Sequence, residues 1–359
     1  MKSFKKANLI AIVAFLIPGW QLPATHSAMQ SAEVAVWKTD LRDSRHTWDD
    51  LHTPAVCQAT RQIAFGSNAE LVVAKDSGPF AKPNEVPAWV LDAKNGKILR
   101  EADWTSGSWP FLFATSTGKY AVVSQAGMAL YSQGLQSAIA TGTHTADKAS
   151  PDGRYLSATE SIPGHGVTIL IDAETLKPNG TQFQDLYVWS IADNRVASSA
   201  FRGEKGVVLV KDSPKQEPEY ETDCKGTRPN FITSDLLAVL GCERLDVVSL
   251  TSGKTFTSTL NGADAFFAAL SRDGNRFAVI QAFTRPADPP IPLLERVTVF
   301  DVSERKPVFA TDISDLKDFT IGGSSGVALS PDGSSLAINS AGVVRLFALQ
   351  KGPAVPNKR

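Results

Sequence analysis

The sequence has no excess of basic residues. Its 359 residues include 36 lysines and arginines against 37 aspartates and glutamates. The chain therefore offers no surplus positive charge to hold a phosphate backbone, and nucleic acid is not expected as a partner.

Motifs that carry catalysis are also missing. The sequence contains no Cys-x-x-Cys pair and no glycine-rich phosphate loop ending in Lys and Ser or Thr, and the segment "GHGV" at 164–167 lacks the serine of a nucleophile elbow. The acidic pair Asp49–Asp50 is most simply explained as solvated loop charge. We predict no catalytic residue and no cofactor.

Long hydrophobic runs are absent as well, except for a short one near the start. Three lysines within the first six residues precede the apolar segment 7–17, and a Pro-Gly pair ends it. This pattern predicts that residues 1–28 are a secretory signal peptide, cleaved near Ser27 or Ala28. The apolar segment is too short to cross roughly 30 Å of hydrocarbon, although an uncleaved anchor helix is the alternative. We expect a periplasmic or extracellular mature protein with no membrane span.

Only three cysteines occur, and all lie beyond the predicted signal peptide. In an oxidising compartment an odd number suggests one disulfide and one free thiol. Cys224 and Cys242 flank two predicted strands that meet in a turn at 233–235, so the pairing of these strands would bring the two cysteines together. We predict that bridge, with two buried thiols as the alternative. Cys57 has no evident partner.

Short turns recur between short apolar runs. "SPDG" at 330–333 is repeated at 150–153, and "SRDG" occurs at 271–274. Proline presets φ, aspartate bonds its own backbone, and glycine accepts positive φ. Each phrase therefore predicts a hairpin turn between the first and second strands of a small sheet.

The same position recurs along the whole chain. Seven copies are present: "FGSNAELVVA", "ATSTGKYAVVS", "ASPDGRYLSA", "IADNRVASSA", "ITSDLLAVLG", "LSRDGNRFAVI" and "LSPDGSSLAI". A second apolar strand phrase follows each copy, which gives four strand candidates per unit at a spacing of about 40 residues. The sequence predicts an all-β protein, a seven-bladed β-propeller with four-stranded antiparallel blades.

The last unit lacks one strand, since only a short polar segment follows "VVRLFAL". Residues 32–40, "AEVAVWKTD", alternate apolar and polar like a strand and precede the first full unit. We predict that they complete the seventh blade as its outer strand and so close the ring. The expected organisation is a single propeller domain over 32–350 and a disordered tail over 351–359.

The turn phrases "SPDG" and "SRDG" and strand phrases such as "VTVFDV" and "ILIDA" resemble those of bacterial WD-repeat-like and YVTN-type propellers. That superfamily also contains the quinoprotein amine dehydrogenase heavy chain and a group of lactonases. The resemblance implies the propeller fold over most of the mature chain. The Trp-Asp and Gly-His pairs of standard WD repeats are missing at the expected places, and no catalytic motif of the family's enzymes can be transferred.

The longest connections fall on one face of the predicted propeller, and binding sites usually lie where loops are long. Exposed aromatic and charged loop residues can contact a protein, a peptide or a glycan. The candidate binding residues are Trp48, Trp104, Trp109, His165, Arg285 and Asp288. Trp104 and Trp109 have an alternative role, filling gaps between blades.

His144 and His165 lie on connections that flank the same predicted blade. Imidazoles that approach each other at a rim can bind zinc or copper, so this pair is a candidate metal site. No His-x-His pair supports it, and lone loop histidines are ordinary.

Two functions stay open from the sequence. The first is a secreted, non-catalytic binding module, expected to be a monomer, with a partner in the cell envelope. The second is an enzyme of the lactonase or quinone-linked dehydrogenase kind, with its site at the mouth of the central channel. The sparse catalytic inventory favours the first.

Export predicts a shortened protein. If the signal peptide is removed, the intact mass of the secreted form corresponds to an N-terminus near residues 28–30. An intact Met1 in the same measurement would indicate an anchor helix instead.

Overall fold

Every described strand belongs to one of seven four-stranded antiparallel sheets arranged in a ring. The structure is a computed structural model that describes residues 34–42, 62–75, 86–104, 111–124, 127–162, 165–184, 188–212, 219–253, 255–260, 264–285, 291–313, 325–340 and 342–350. The predicted signal peptide, Cys57 and the predicted tail lie outside these residues. Among the described residues no helix is long and apolar enough to cross a membrane.

The strands follow one another with little helix between them. In chain order they are β1 (Trp37–Asp40), β2 (Ile63–Ser67), β3 (Glu70–Ala74), β4 (Val86–Asp92), β5 (Ile98–Trp104), β6 (Phe111–Ala114), β7 (Tyr120–Ser124), β8 (Gly127–Tyr131), β9 (Ala138–Gly142), β10 (Ala146–Ala149), β11 (Tyr155–Ile162), β12 (His165–Asp172), β13 (Lys177–Gln184), β14 (Val188–Ala192), β15 (Arg195–Arg202), β16 (Lys205–Asp212), β17 (Glu219–Thr222), β18 (Arg228–Phe231), β19 (Leu236–Gly241), β20 (Arg244–Ser249), β21 (Thr255–Thr259), β22 (Asp264–Leu270), β23 (Arg276–Arg285), β24 (Ile291–Asp301), β25 (Lys306–Asp312), β26 (Ser325–Leu329), β27 (Ser335–Ser340) and β28 (Val343–Ala348).

Each sheet is one blade, and the chain builds the blades in order. Strands β2–β5 form blade 1, β6–β9 blade 2, β10–β13 blade 3, β14–β17 blade 4, β18–β21 blade 5, β22–β25 blade 6, and β26–β28 with β1 form blade 7. The predicted all-β seven-bladed propeller is therefore confirmed.

Blade strands bury both of their faces, which explains their continuous apolar runs. In β3, Leu71 and Val73 pack against blade 7, whereas Val72 and Ala74 pack against blade 2. All four side chains are fully buried. Because successive side chains of a strand point to opposite faces, each blade needs a neighbour on both sides.

Strand β1 closes the ring by pairing with β28. The amide of Val36 donates to the carbonyl of Leu346 at 2.7 Å, and the register aligns Trp37 with Leu346. Trp37 then reaches blade 1, where its indole Nε1 donates to the carbonyl of Ala93 at 2.9 Å. The predicted closure by the N-terminal strand is confirmed, with β1 covering the end of the predicted segment.

A glycine in blade 1 makes this closing contact possible. Gly96 has a φ of 73°, and a Cβ there would lie 2.5 Å from both Thr39 Oγ1 and Trp37 Cε3. The hydroxyl of Thr39 also donates to the carbonyl of Gly96 at 2.6 Å. Any larger residue at this position would push β1 away from blade 1.

The recurrent turn has the predicted chemistry. Asp332 Oδ1 accepts hydrogen bonds from the Ser334 amide at 3.0 Å and from Ser330 Oγ at 2.8 Å. Ser330 Oγ in turn accepts from the amide of Ser335 at 2.9 Å, and Gly333 has a φ of 66°. The hydroxyl of the buried Ser330 thus provides a hydrogen-bond acceptor for the backbone amide at the start of the second strand.

Cys224 and Cys242 form a disulfide, with an S–S distance of 2.04 Å. Cys224 lies in the crossing from blade 4 to blade 5, and Cys242 follows β19 of blade 5. The bridge therefore fixes the crossing to the blade that it enters.

Truncation of Trp37 tests the closing contact. We expect Trp37→Ala to lower the free energy of unfolding by about 3–5 kcal/mol, since a buried aromatic side chain and its hydrogen bond are lost. The matched control is Val36→Ala. The Val36 side chain is 55% exposed, and the hydrogen bond from its backbone amide to Leu346 does not depend on the side chain. Urea unfolding of both variants provides the measurement, and equal small losses would contradict the closing role of Trp37.

Candidate functional site

The ring has two unlike faces. The hairpin face carries the turns between the first and second strands of the blades, at 68–69, 115–119, 150–154, 193–194, 232–235, 271–275 and 330–334. The loop face carries the turns between second and third strands and the crossings between blades, whose described parts include 143–145, 203–204, 223–227 and 242–243. Strand direction alone assigns the connections to these two faces.

Turns on the hairpin face are linked from blade to blade. The Ser116 amide of blade 2 donates to the carbonyl of Gly153 in blade 3 at 2.9 Å. The Asp273 amide of blade 6 donates to the carbonyl of Pro331 in blade 7 at 3.1 Å. These links hold the turns of neighbouring blades together.

A buried tyrosine joins blades 1 and 2 on the same face. The Tyr120 hydroxyl donates to Glu70 Oε1 at 2.8 Å and accepts from the Gly66 amide at 3.0 Å. Burial raises the pKa of Tyr120 well above its ordinary value, and the neighbouring Glu70 raises it further. The hydroxyl therefore stays protonated and keeps its donor role.

Glu174 joins blade 3 to the first turn of blade 2. Its carboxylate accepts hydrogen bonds from the Thr117 amide at 3.1 Å, from the Thr117 hydroxyl at 2.8 Å and from Lys119 Nζ at 2.9 Å. Burial raises the pKa of Glu174, but the hydroxyl and ammonium donors of the 115–119 turn outweigh burial and lower the pKa to about 2.

A cavity of about 280 Å³ occupies the central channel. The innermost strands of all seven blades line it, and its wall combines polar and apolar surface. Its polar and aromatic lining includes Phe113, Asp147, Lys148, Trp189, Asn230, Phe267 and Arg272. Asp147 and Lys148 form an ion pair within the wall. The channel is therefore a concave candidate for a ligand site.

Arg272 lies across the hairpin-face end of this channel. It belongs to the 271–275 turn of blade 6, yet its Nη2 donates to the carbonyl of Gly66 in blade 1 at 3.3 Å. Its Nη1 donates to the carbonyl of Ser116 in blade 2 at 3.4 Å. Because one side chain spans from blade 6 to blades 1 and 2, it obstructs this end of the channel, and access from the loop face is favoured.

The second and third strands, which meet at the loop face, are longest in blades 3, 4 and 6. The second and third strands have eight residues each in blades 3 and 4, and ten and eleven in blade 6. The same strands have only five or six residues in blades 2, 5 and 7. The hairpins β11–β12, β15–β16 and β23–β24 therefore rise above the loop face.

The tip of the blade 4 hairpin exposes a large apolar side chain. Phe201 is 66% exposed at the end of β15. Beside it, Arg202 and Lys205 both form ion pairs with Glu221, at 2.8 and 3.3 Å. An exposed aromatic ring with charges around it is typical of an interaction surface.

Three of the six predicted binding residues lie in described strands. Trp48, Trp109 and Asp288 lie outside the described residues. Trp104 is the last residue of β5, His165 the first of β12 and Arg285 the last of β23. His165 and Arg285 thus stand at the tips of projecting hairpins rather than within free loops. Their side chains are outside the described part of the structure, so their binding roles stay predictions.

His144 lies on the loop face, in the crossing from blade 2 to blade 3. Its Nδ1 is 2.8 Å from Glu160 Oε1 on β11. Within the described ranges no three His, Cys, Asp or Glu side chains gather around a common point. The pairing of His144 with His165 at a metal therefore stays a prediction.

Sequence reasoning missed two residues that the structure makes prominent. Arg272 occupies the turn position where blades 3 and 7 have Pro151 and Pro331, and this exception was a detectable signal. Phe201 precedes the charged turn "RGEKG", where a polar residue would be ordinary. The sequence alone does not show that Arg272 reaches the channel or that Phe201 is exposed, because both depend on how the blades are arranged.

Comparison with known proteins supports the fold alone. No protein-family model matches the chain, and no curated protein matches it. Among solved structures 744 chains match. One of them, a chain from the crystal structure of a mitotic checkpoint complex, is 14% identical with a TM-score of 0.55, over 97% of this chain and 100% of that chain. The protein thus has the WD-repeat-like seven-bladed propeller fold.

The low pKa of Glu174 predicts an acid-dependent loss of stability. Its stabilising contribution is fully present above the ordinary carboxyl pKa of 4.5 and is lost as the pH falls through about 2. We expect Glu174→Gln to reduce the free energy of unfolding by about 1–2 kcal/mol at pH 7, after allowance for partial solvent exposure. The difference from wild type then shrinks as the pH falls below 4.5.

Urea unfolding from pH 7 down to pH 3 measures this effect. Glu204→Gln serves as the control, because the Glu204 side chain is 92% exposed and its ion pair with Lys225 is on the surface. That variant should differ from wild type by less than about 0.5 kcal/mol. A Glu174→Gln deficit that stays constant at every pH would refute the assignment.

Proposed function

We propose that the protein is a secreted, non-catalytic interaction module of bacterial YVTN-like type, exported to the periplasm or beyond. It binds a protein, peptide or glycan of the cell envelope through its loop face. The observation that carries this proposal is the projection of three hairpins on that face, with the exposed Phe201 at one tip.

The contrast between the faces supports the location. The first-to-second strand turns of the hairpin face have two to five residues, whereas the long connections 43–61, 76–85 and 314–324 all leave strands at the loop face. Connections that are not tied into the ring can change in length and sequence without cost to the blades.

Two further observations support a secreted binding role. The first segment of the sequence has the pattern of a signal peptide. A chain of the same fold occurs in the crystal structure of a mitotic checkpoint complex, which is a protein assembly. The fold is thus used among protein partners elsewhere, and this supports a protein as the partner class.

A second function, an enzyme of the lactonase or quinone-linked dehydrogenase kind, is favoured by one observation. The channel wall contains the charged pair Asp147–Lys148 toward its loop-face end. Such a pair could orient a substrate at the channel mouth, but a reacting group would have to come from residues outside the described ranges.

Site-specific photo-crosslinking tests the interaction surface. Benzoylphenylalanine replaces Phe201 in one variant and Leu99 in the control, because Leu99 is 55% exposed but lies on the outer strand of blade 1. After irradiation of intact cells we expect discrete adducts from position 201 and none from position 99. The same adduct pattern at both positions, or no adduct at 201, would count against the loop face.

A further inference from the structure

Arg272 is a partly buried cation on the hairpin face. No carboxylate of the described residues forms an ion pair with it, although most other described arginines have one. Its two hydrogen bonds, to Gly66 and Ser116, are long at 3.3 and 3.4 Å. A guanidinium has five N–H donors, so three donors are left for another acceptor.

The surroundings of Arg272 make an anion favourable. Burial lowers the pKa of Arg272 from its ordinary value, and the acidic groups Tyr120 and Glu174 oppose this only in part. Tyr120 stays protonated, and the Glu174 carboxylate already accepts hydrogen bonds from Thr117 and Lys119. Removing a cation from water is costly unless an anion pairs with it. Within the described ranges, no carboxylate forms an ion pair with Arg272 to offset this cost.

The channel gives a ligand both room and apolar contact. Its volume of about 280 Å³ is close to the lower end of ordinary small-molecule pockets. Phe113, Trp189 and Phe267 are among its lining residues, and Trp189 occupies the same bulge position in β14 that Asp147 occupies in β10. Phe113, two residues before the 115–119 turn, is therefore the aromatic lining residue nearest to the level of Arg272.

The other charges of the channel stand apart from Arg272. Asp147 lies four residues before Pro151, which occupies the same turn position as Arg272, so roughly 13 Å of strand separates the two levels along the channel. Asp147 is also paired with Lys148, and its Oδ1 is buried without a hydrogen-bond partner among the described residues. An anionic group of a ligand bound at Arg272 would therefore lie too far from Asp147 to be repelled strongly. A hydrogen-bond donor at the opposite end of the ligand would satisfy Asp147 Oδ1.

We propose that the channel cavity binds a small organic carboxylate with an apolar body. The carboxylate accepts hydrogen bonds from the unused N–H groups of Arg272, and the apolar body lies against the aromatic wall. Arginine suits this role because its planar guanidinium matches a carboxylate geometrically. This site is separate from the loop-face partner and does not depend on it.

Binding of two matched probes tests the proposal on the wild-type protein. Phenylacetate carries the predicted charge and an apolar ring, and phenylacetamide has the same shape without the charge. By ligand-observed NMR titration we expect saturable phenylacetate binding, with phenylacetamide about tenfold to a hundredfold weaker, as the loss of charge-assisted hydrogen bonds implies. Equal binding of the two probes, or no saturable phenylacetate binding at millimolar concentration, would overturn the proposal.

Substitution of Arg272 then locates the site. Arg272→Gln should weaken phenylacetate binding by about tenfold or more, and Arg272→Lys should retain part of it because the charge remains. Arg154→Gln is the matched control, since Arg154 lies on the same face but pairs with Asp152 and Asp193 and does not line the cavity. It should bind phenylacetate like wild type. Unchanged binding in a folded Arg272→Gln variant would refute the assignment.

A peptide probe identifies the source of the carboxylate. The tetrapeptide Ala-Ala-Ala-Phe with a free C-terminus offers the same chemistry on a chain. If it binds more weakly than phenylacetate, the ligand is a free small molecule, and if it binds more tightly, the channel takes a peptide C-terminus. Absence of binding by both probes would contradict the carboxylate site itself.

Discussion

The pairing of β1 with β28 is the constraint on which the rest of the structure depends. Every blade buries apolar side chains on both of its faces, so a ring of seven blades needs seven filled interfaces. Six of these interfaces join blades that are consecutive in the chain. The seventh joins blade 7 to blade 1, and Trp37 of β1 fills part of it. Without β1 the outer part of this interface would face water.

Closure also explains why the two faces differ. Blade-to-blade hydrogen bonds on the hairpin face fix the tilt of each blade, and Arg272 obstructs the channel at that end. On the loop face the second and third strands are longest in blades 3, 4 and 6. The same asymmetry favours access to the channel cavity from the loop face, where a partner would also bind.

Local chemistry accounts for what could be predicted from the sequence. The Ser-x-Asp-Gly turn and the apolar runs act over a few residues, and they were sufficient for the blade number, the closing strand and the bridge between Cys224 and Cys242. Arg272 contacts Gly66 across 206 sequence positions, and no local pattern carries such a contact. Likewise, the length of a hairpin such as β15–β16 depends on the ladder it forms with its neighbours.

Native-state hydrogen exchange tests the ring closure most directly. The amides of Val36 and Leu41 donate to the carbonyls of Leu346 and Gly342 at 2.7 and 2.8 Å. If closure holds the ring together, these amides exchange only through global unfolding, with the same opening free energy as the amides of the inner strand β3. Exchange of Val36 and Leu41 at a much lower opening free energy, with β3 still protected, would show that the ring is stable without β1.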